Sequence, residues 1–374
     1  MKPLIKWPGG KAGEIKKFEH LIPSFERYIE PFFGGGALYF HLAPQKAVIN
    51  DISPCLMDYY RLIQKQDVMF KHLLLCYNDS FTRLCSVCDR KYGELGRLFA
   101  SLLEKNIEEP LLRRQISSFI WDNLSPAALG YDFFDLLVLD PQQFFSHLTT
   151  NAVDKMLRTV KNHETKPFNS QDLEDNLITG LASGYYMYFR RVFNDISLGN
   201  IESPSFAYKI ANFYFIREYC YGSMFRYNAA GEFNIPYGGM SYNGKDMRSK
   251  IDHMFNPDME RLFKNTGIYC LDFEEFLQKV KPTENDFIFL DPPYDTDFSE
   301  YEGKDFTLTD QTRLAQVLRS TPAKFLLVIK NTDFIYHLYK DHFHIDTFEN
   351  MYTYNVRSRN KRAAEHLIVT NLPF

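Results

Sequence analysis

The chain has 374 residues, 45% of them hydrophobic, and a formal net charge of −4 at pH 7. That length allows one large domain carrying an insertion, or two domains, with a sizeable core. The acidic balance speaks against a protein that coats nucleic acid indiscriminately, and no apolar run reaches the roughly 18 residues of a membrane-spanning helix. Six cysteines without paired spacing suit a reducing compartment, and MKPLIKWPGGK at the N-terminus has no apolar leader, so a cytoplasmic protein is expected.

In chain order, KWPGGK (6–11) is a glycine turn flanked by an indole and two lysines. It is expected to close over a ligand rather than to hang as a terminal arm. RYIEPFFGGGALYF (27–40) reads as strand, glycine turn and helix start. Glycines let the backbone approach a ligand closely, and the helix that follows offers free N–H groups to an anion. KAVINDIS (46–53) reads as a second strand ending on Asp51, seventeen positions after Gly34. That spacing suits an acid accepting from ribose hydroxyls. Asp51 as the N-cap of the helix beginning near Ser53 and Pro54 is the competing reading. PCLMDYYRLIQKQ continues as that helix.

A stretch of helical patterns follows from 66 to 180, including GELGRLFASLLEKN, and it interrupts the sheet-forming pieces. Within it His72, Cys76, Cys85 and Cys88 have a spacing conceivable for zinc, but one CxxC without a second pair favours buried free thiols and no metal. REYCYGSMFRYNAAGEFNIPYGGMSYNGK (217–245) alternates glycine turns with short aromatic segments, which predicts a hairpin or loop presented by the preceding helices. From Lys209 to Lys250 there are six basic and three acidic residues, and VRSRNKR (356–362) carries four basic residues and no acid. With 16% aromatic residues, some side chains near these segments are placed to stack on bases.

Strands return with GIYCLD, FIFLDPPY, KFLLVIKN and EHLIVTN, with TLTDQTRLAQVLRS helical between them. The alternation predicts an α/β fold with right-handed βαβ units and a mostly parallel sheet built from both ends of the chain. Asp291 is then the first residue past the carboxyl end of a buried strand, the edge where open α/β sheets bind ligands. Pro292 and Pro293 stiffen the next turn and leave carbonyls to accept, while Tyr294 adds a flat face. Acceptors beside a stacking plane suit a planar amino group on an aromatic ring.

KWPGGK, PFFGGGA, RYNAAGEFNIPYG, DPPY and NKRAAEHLIVTN, in this order, resemble the Dam-type (D12 class, alpha group) DNA adenine-N6 methyltransferases, over roughly the first 60 residues and from about 183 onward. The resemblance implies a class I, Rossmann-like S-adenosylmethionine-dependent methyltransferase with an inserted, mainly helical DNA-recognition subdomain acting on duplex DNA. It divides the chain into a first catalytic part (1–65), a helical insertion of unknown role (66–180), a target-recognition region (181–262) and a second catalytic part (263–374). It implies that Trp7 and Lys11 hold the methionine end of the cofactor, that Pro31, Phe33, Gly34, Gly35 and Gly36 approach it, and that Asp51 takes the ribose hydroxyls. YCLDFEEF similarly makes Asp272 and Phe273 candidates beside its adenine. Asp291, Pro292, Pro293 and Tyr294 would hold the target base, with Asp291 also bordering the cofactor. Arg226 is then the expected base reader, since guanidinium pairs bidentately with guanine. Arg217, Lys245, Arg248 and Lys250 are expected on phosphates, and Asn228, Asn234, Pro236 and Tyr237 are expected to shape the loop.

Four alternatives compete. SPC (53–55) is similar to the Pro-Cys nucleophile of cytosine-C5 enzymes, but that reading leaves DPPY without a role. Cytosine-N4 enzymes usually carry Ser where this chain has Asp291. An RNA or small-amine methyltransferase, or a DNA-binding protein without catalysis, completes the set. A partner in restriction or defence would dock through 66–180.

Overall fold

The computed structural model describes residues 1–224, 226–293, 306–351 and 363–373; Tyr294 and VRSRNKR lie outside the described residues. Two compact units are present, one made of Met1–Lys65 with Asn256–Phe374, the other of Gln66–Phe255. The division expected at 180/181 falls inside the helix Ser170–Ser197, whose continuous backbone bonding makes it one rod, so 66–180 and most of 181–262 share one unit. Residues 256–262 go instead with the sheet, because the helix Pro257–Lys264 buries Met259, Leu262 and Phe263 in the first unit.

The first unit is a seven-stranded sheet: β1 (Arg27–Glu30), β2 (Ala47–Asn50), β3 (Thr266–Tyr269), β4 (Asp286–Leu290), β5 (Lys324–Lys330), β6 (His344–Met351) and β7 (Ala363–Thr370). Their spatial order is β3-β2-β1-β4-β5-β7-β6. β1 to β5 are parallel to one another, whereas β7 runs antiparallel to both β5 and β6. All five residues of β4 and the five central residues of β5 are buried, as strands covered on both faces require. Chain order reverses between β1 and β4. Loops leaving the carboxyl ends of those two strands diverge there and open a crevice, the usual ligand seat of such sheets.

The second unit is helical. Val68–Arg90, Pro141–Thr165, Ser170–Ser197 and Phe206–Tyr219 are its longer rods. Their shared core is aromatic: Tyr77 stacks on Phe215 at 4.7 Å and Phe133 on Tyr185 at 5.5 Å. Gly184 lets two rods approach closely, since a Cβ there would stand 2.6 Å from the Leu148 Cα. No helix among the described residues is long and apolar enough to cross a membrane.

Candidate active site

The crevice between β1 and β4 is a cavity of about 400 Å³. Its walls bring together Trp7, Lys11, Pro31, Phe33, Gly34, Gly35, Gly36, Asp51, Asp272, Phe273, Asp291, Pro292 and Pro293. Every described residue expected at the cofactor or the target base thus lines one space. They come from five chain segments separated by up to some 280 positions: β1, β2, β3 and β4 deliver their carboxyl ends to the same edge, and the N-terminal segment with Trp7 and Lys11 joins them there.

The glycine turn fits this space through backbone geometry. Gly34 has φ of +49° and Gly36 has φ of +64°, both in the region that favours glycine. A Cβ on Gly34 would stand 2.8 Å from the Trp7 Cδ1, so KWPGGK packs its indole directly against the turn. The Gly34 N–H donates to Asp51 Oδ2 (2.8 Å) and the Ser53 N–H to Oδ1 (3.0 Å). Asp51 is therefore not the N-cap of the next helix: Ser53 is, accepting from the Leu56 N–H with Pro54 following. Burial raises the Asp51 pKa, and these N–H donors oppose the rise.

Sequence reasoning missed Asn50. Its amide donates to the carbonyls of Pro31 and Leu271 (both 3.0 Å) and accepts from the Leu271 N–H (2.9 Å), so one buried side chain ties together the loops after β1, β2 and β3. Glu30 was also missed. It lines the cavity, receives the Tyr28 hydroxyl at 2.8 Å, and burial holds its carboxyl well above the ordinary range. A polar residue ending each strand was the available signal.

At the far end of the cavity, Asp272 caps the helix Phe273–Val280 and pairs with Arg313 at 2.8 Å. Arg313 also pairs with Glu274 and Asp310 and lies 4.9 Å over the Phe273 ring. Phe32, Phe273 and Phe306 meet there as an aromatic wall.

Asp291 extends from β4 into the cavity, where the Lys11 ammonium lies 2.9 Å from Oδ1. Lys11 is only 2% exposed. Its charge thus sits on the carboxylate expected at the target base, a contact that spacing did not suggest. Burial raises the Asp291 pKa, and Lys11 pulls it back. The two prolines do not leave both carbonyls to a ligand: that of Pro293 accepts from the Gln311 amide at 2.9 Å.

The second unit corrects several expectations. Arg217 is 1% exposed and donates to the carbonyls of Met224 (2.7 Å) and Ser223 (2.9 Å), so it braces the segment from within instead of meeting phosphate. Lys245 and Lys250 are both engaged by the buried Glu218, at 3.0 and 2.7 Å, and Lys245 also lies over the Tyr219 and Tyr242 rings. Arg248 is exposed but paired with Asp79. The hairpin reading fits, with antiparallel bridges Tyr227 to Phe233 and Cys220 to Tyr237. Asn228 receives the N–H groups of Ala230 and Glu232, the Pro236 carbonyl accepts from the Tyr221 N–H, and Tyr237 donates to Asn243. Arg226 is exposed and donates through Nε to Asn234 at 2.8 Å.

Burial pushes the Glu218 pKa up, but the two ammonium groups outweigh it and hold the carboxyl below its ordinary 4.5. A folded-state pKa below the unfolded one stabilises fully above the unfolded value and is lost as pH falls through the folded value. Glu218→Gln should therefore lower the melting temperature at neutral pH, and the gap to the native protein should close as pH drops below about 4.5. Thermal melts across that range check it.

The four-residue zinc set does not assemble. All four residues lie on the helix Val68–Arg90, and the nine positions from Cys76 to Cys85 correspond to about 13 Å of helix rise. His72 and the buried Cys76 instead lie close to the exposed Asp132, while burial pushes the Cys85 thiol up to about 12 and Cys88 well above its ordinary value. Cys55 lies in the first turn of its helix and does not line the cavity.

The pattern that defines the D12 class N6 adenine-specific DNA methyltransferases matches residues 7–83 and 152–354. The chain belongs to that family. It is a DNA adenine-N6 methyltransferase, and the cytosine and RNA alternatives fall away. The match enters 66–180 from both sides, so the part foreign to the family's pattern is 84–151 rather than the whole stretch. The chain is also similar to proteins named type II methyltransferases and DNA adenine methylases. The chain is 25% identical to the type II methyltransferase M.CviBI of Paramecium bursaria Chlorella virus NC1A, over 99% of this chain and 100% of that one. It is 26% identical to the type II methyltransferase M.MjaIII of Methanocaldococcus jannaschii, over 91% and 88%. Over 36% of this chain and 46% of the relative, it is 33% identical to the retron Ec67 DNA adenine methylase of Escherichia coli.

Proposed function

We propose that this adenine methyltransferase holds S-adenosylmethionine in the β1/β4 crevice and presents to it the amino group of an adenine turned out of duplex DNA. The observation that carries this reading is the meeting of Asp291 with the glycine turn and Asp51 in one cavity. The residues suit the cofactor: Gly34, without a Cβ, lets the backbone of the turn lie against the Trp7 indole at the cavity wall, and the Asp51 carboxylate, which accepts from the Gly34 and Ser53 N–H groups, lines the same cavity as an acceptor. Asp51 is assigned to the ribose hydroxyls, Asp272 and Phe273 to the adenine ring, and Trp7, Lys11, Pro31, Phe33 and Gly34 to Gly36 to the remainder. The cofactor's contribution is a methyl group on a positively charged sulfur.

The protein's task is to make a poor nucleophile react. The adenine amino nitrogen delocalises its lone pair into the ring. The Asp291 carboxylate and the Pro292 carbonyl, each accepting one N–H, draw that nitrogen toward tetrahedral geometry and free the lone pair to point across the cavity. The rate gain comes from orientation and preorganised charge, with no covalent enzyme intermediate. Lys11 supports the ionised carboxylate, the form able to accept. Tyr294 is assigned to stacking on the base, which must leave the duplex to arrive.

Arg226 is assigned to reading a guanine, in a site of the GAT type, with Asn228, Asn234, Pro236 and Tyr237 holding its hairpin in shape. A role beside a restriction or defence nuclease is in keeping with relatives named type II methyltransferases, and the helical stretch 66–180 is assigned to docking it. The reading is tested by incubating the protein with methyl-labelled S-adenosylmethionine and duplex DNA, then digesting to nucleosides. Label should appear in N6-methyl-2′-deoxyadenosine, and its absence there overturns the assignment. Arg226→Ala should cut methylation at the preferred site about 10- to 100-fold and broaden the sites used, since one bidentate base contact contributes about 1–3 kcal/mol. Sequencing of modified bases in expressing cells reads both effects.

A further inference from the structure

Two consecutive prolines give the catalytic turn no backbone N–H at 292 or 293 with which to fix itself. Its orientation must come from groups that donate to its carbonyls. Gln311 is such a group: it is 0% exposed and its amide donates to the Pro293 carbonyl at 2.9 Å. A carbonyl only accepts, so the amide nitrogen has to face it. Gln311 is itself held in the first turns of the helix Leu308–Ser320, whose start is fixed by a reciprocal capping box between Thr307 and Asp310. Two residues on, Arg313 anchors the same helix to Asp272 and Glu274 at the other end of the cavity.

We propose that Gln311 is a positioning residue for methyl transfer. By taking the Pro293 carbonyl it sets the rotation of the peptide planes on either side of Pro293, and so aims the Pro292 carbonyl, together with Asp291, at the amino group of the target adenine. This inference rests on the proposed roles of Asp291 and Pro292. It adds that one glutamine on the following helix decides which proline carbonyl faces the base.

The test uses the full-length protein, S-adenosylmethionine and duplex DNA containing the preferred site. Gln311→Leu keeps the volume but removes the donor. Its kcat should fall about 10- to 100-fold, the loss expected when reacting groups are misplaced by about 1 Å, while KM for the cofactor and duplex affinity stay within about threefold. Gln311→Glu supplies the distinguishing signature. A protonated carboxyl can donate to the carbonyl as the amide does, whereas a carboxylate repels it, and burial favours the neutral form. The ratio of Gln311→Glu to native kcat should therefore be at least about fivefold higher at pH 6 than at pH 8.5. Glutamine does not titrate, so the ratio cancels the titration of the charged groups around it: Asp291 and Lys11 by the turn, Asp310 and Arg313 on its helix, Asp272 and Glu274 beyond.

A Gln311→Leu kcat within threefold of native, a ratio flat with pH, or a kcat loss matched by equal losses in cofactor and duplex binding would overturn the proposal. Asp291→Ala measured alongside separates the two failures. If that variant remains active, the reading of the site fails; if it is inactive while Gln311→Leu is normal, only the role of Gln311 does.

Discussion

Asp291→Ala should reduce methyl transfer by about 10³-fold or more, with duplex binding retained. In the proposed mechanism the carboxylate is one of the two acceptors that reshape the amino nitrogen, and their effect is concentrated in the transition state, so the loss belongs in kcat. The substitution also removes the countercharge 2.9 Å from the buried Lys11 ammonium, and a buried cation that loses its countercharge is costly. Asp291→Asn separates the two effects. It keeps the volume and one acceptor oxygen but loses the charge beside Lys11, and should therefore recover activity more than stability. Single-turnover transfer, thermal melting and duplex titration on the three proteins check this. An alanine variant retaining a tenth or more of native activity would remove Asp291 from the mechanism.

Sheet residues were legible where burial forces a pattern. FIFL and KFLLVI are continuous apolar runs because both faces of β4 and β5 are covered. The edge strand β6, HIDTFENM, escaped notice because five of its eight residues are polar. Asp51, Asp291 and the glycine turn were legible because strand ends and backbone approach leave local marks. What spacing did not carry was pairing across the fold. Lys11 and Asp291 are 280 positions apart, and Asn50 reaches Leu271 over 221, so their partners depend on which strands become neighbours. Residue type carried less: four cations near the hairpin were expected on phosphates, yet Arg217, Lys245, Lys250 and Arg248 are engaged inside the unit, while Arg226 is exposed and donates to the neutral Asn234.

That sorting makes a second large effect expected, at a residue that need not touch DNA. Arg217→Met should weaken duplex binding about 100-fold or more while binding of labelled S-adenosylmethionine stays near native. The guanidinium is buried and satisfies two carbonyls at the start of the hairpin, Ser223 and Met224. Methionine fills similar space but donates nothing, and stranding buried acceptors of a charged donor costs about 1–3 kcal/mol each. About 3 kcal/mol is a factor of more than 100 in an equilibrium constant. The chain needs only to let residues 221–238 leave their folded arrangement for the Arg226 and Asn234 pairing to be lost. Cofactor binding is spared because the cavity is built wholly from the other unit. Hydrogen exchange localised to the hairpin, with protection of the sheet unchanged, would identify the cause. Equal weakening of cofactor and duplex binding would instead mean global unfolding, and native duplex affinity would mean that Arg217 does not brace the hairpin.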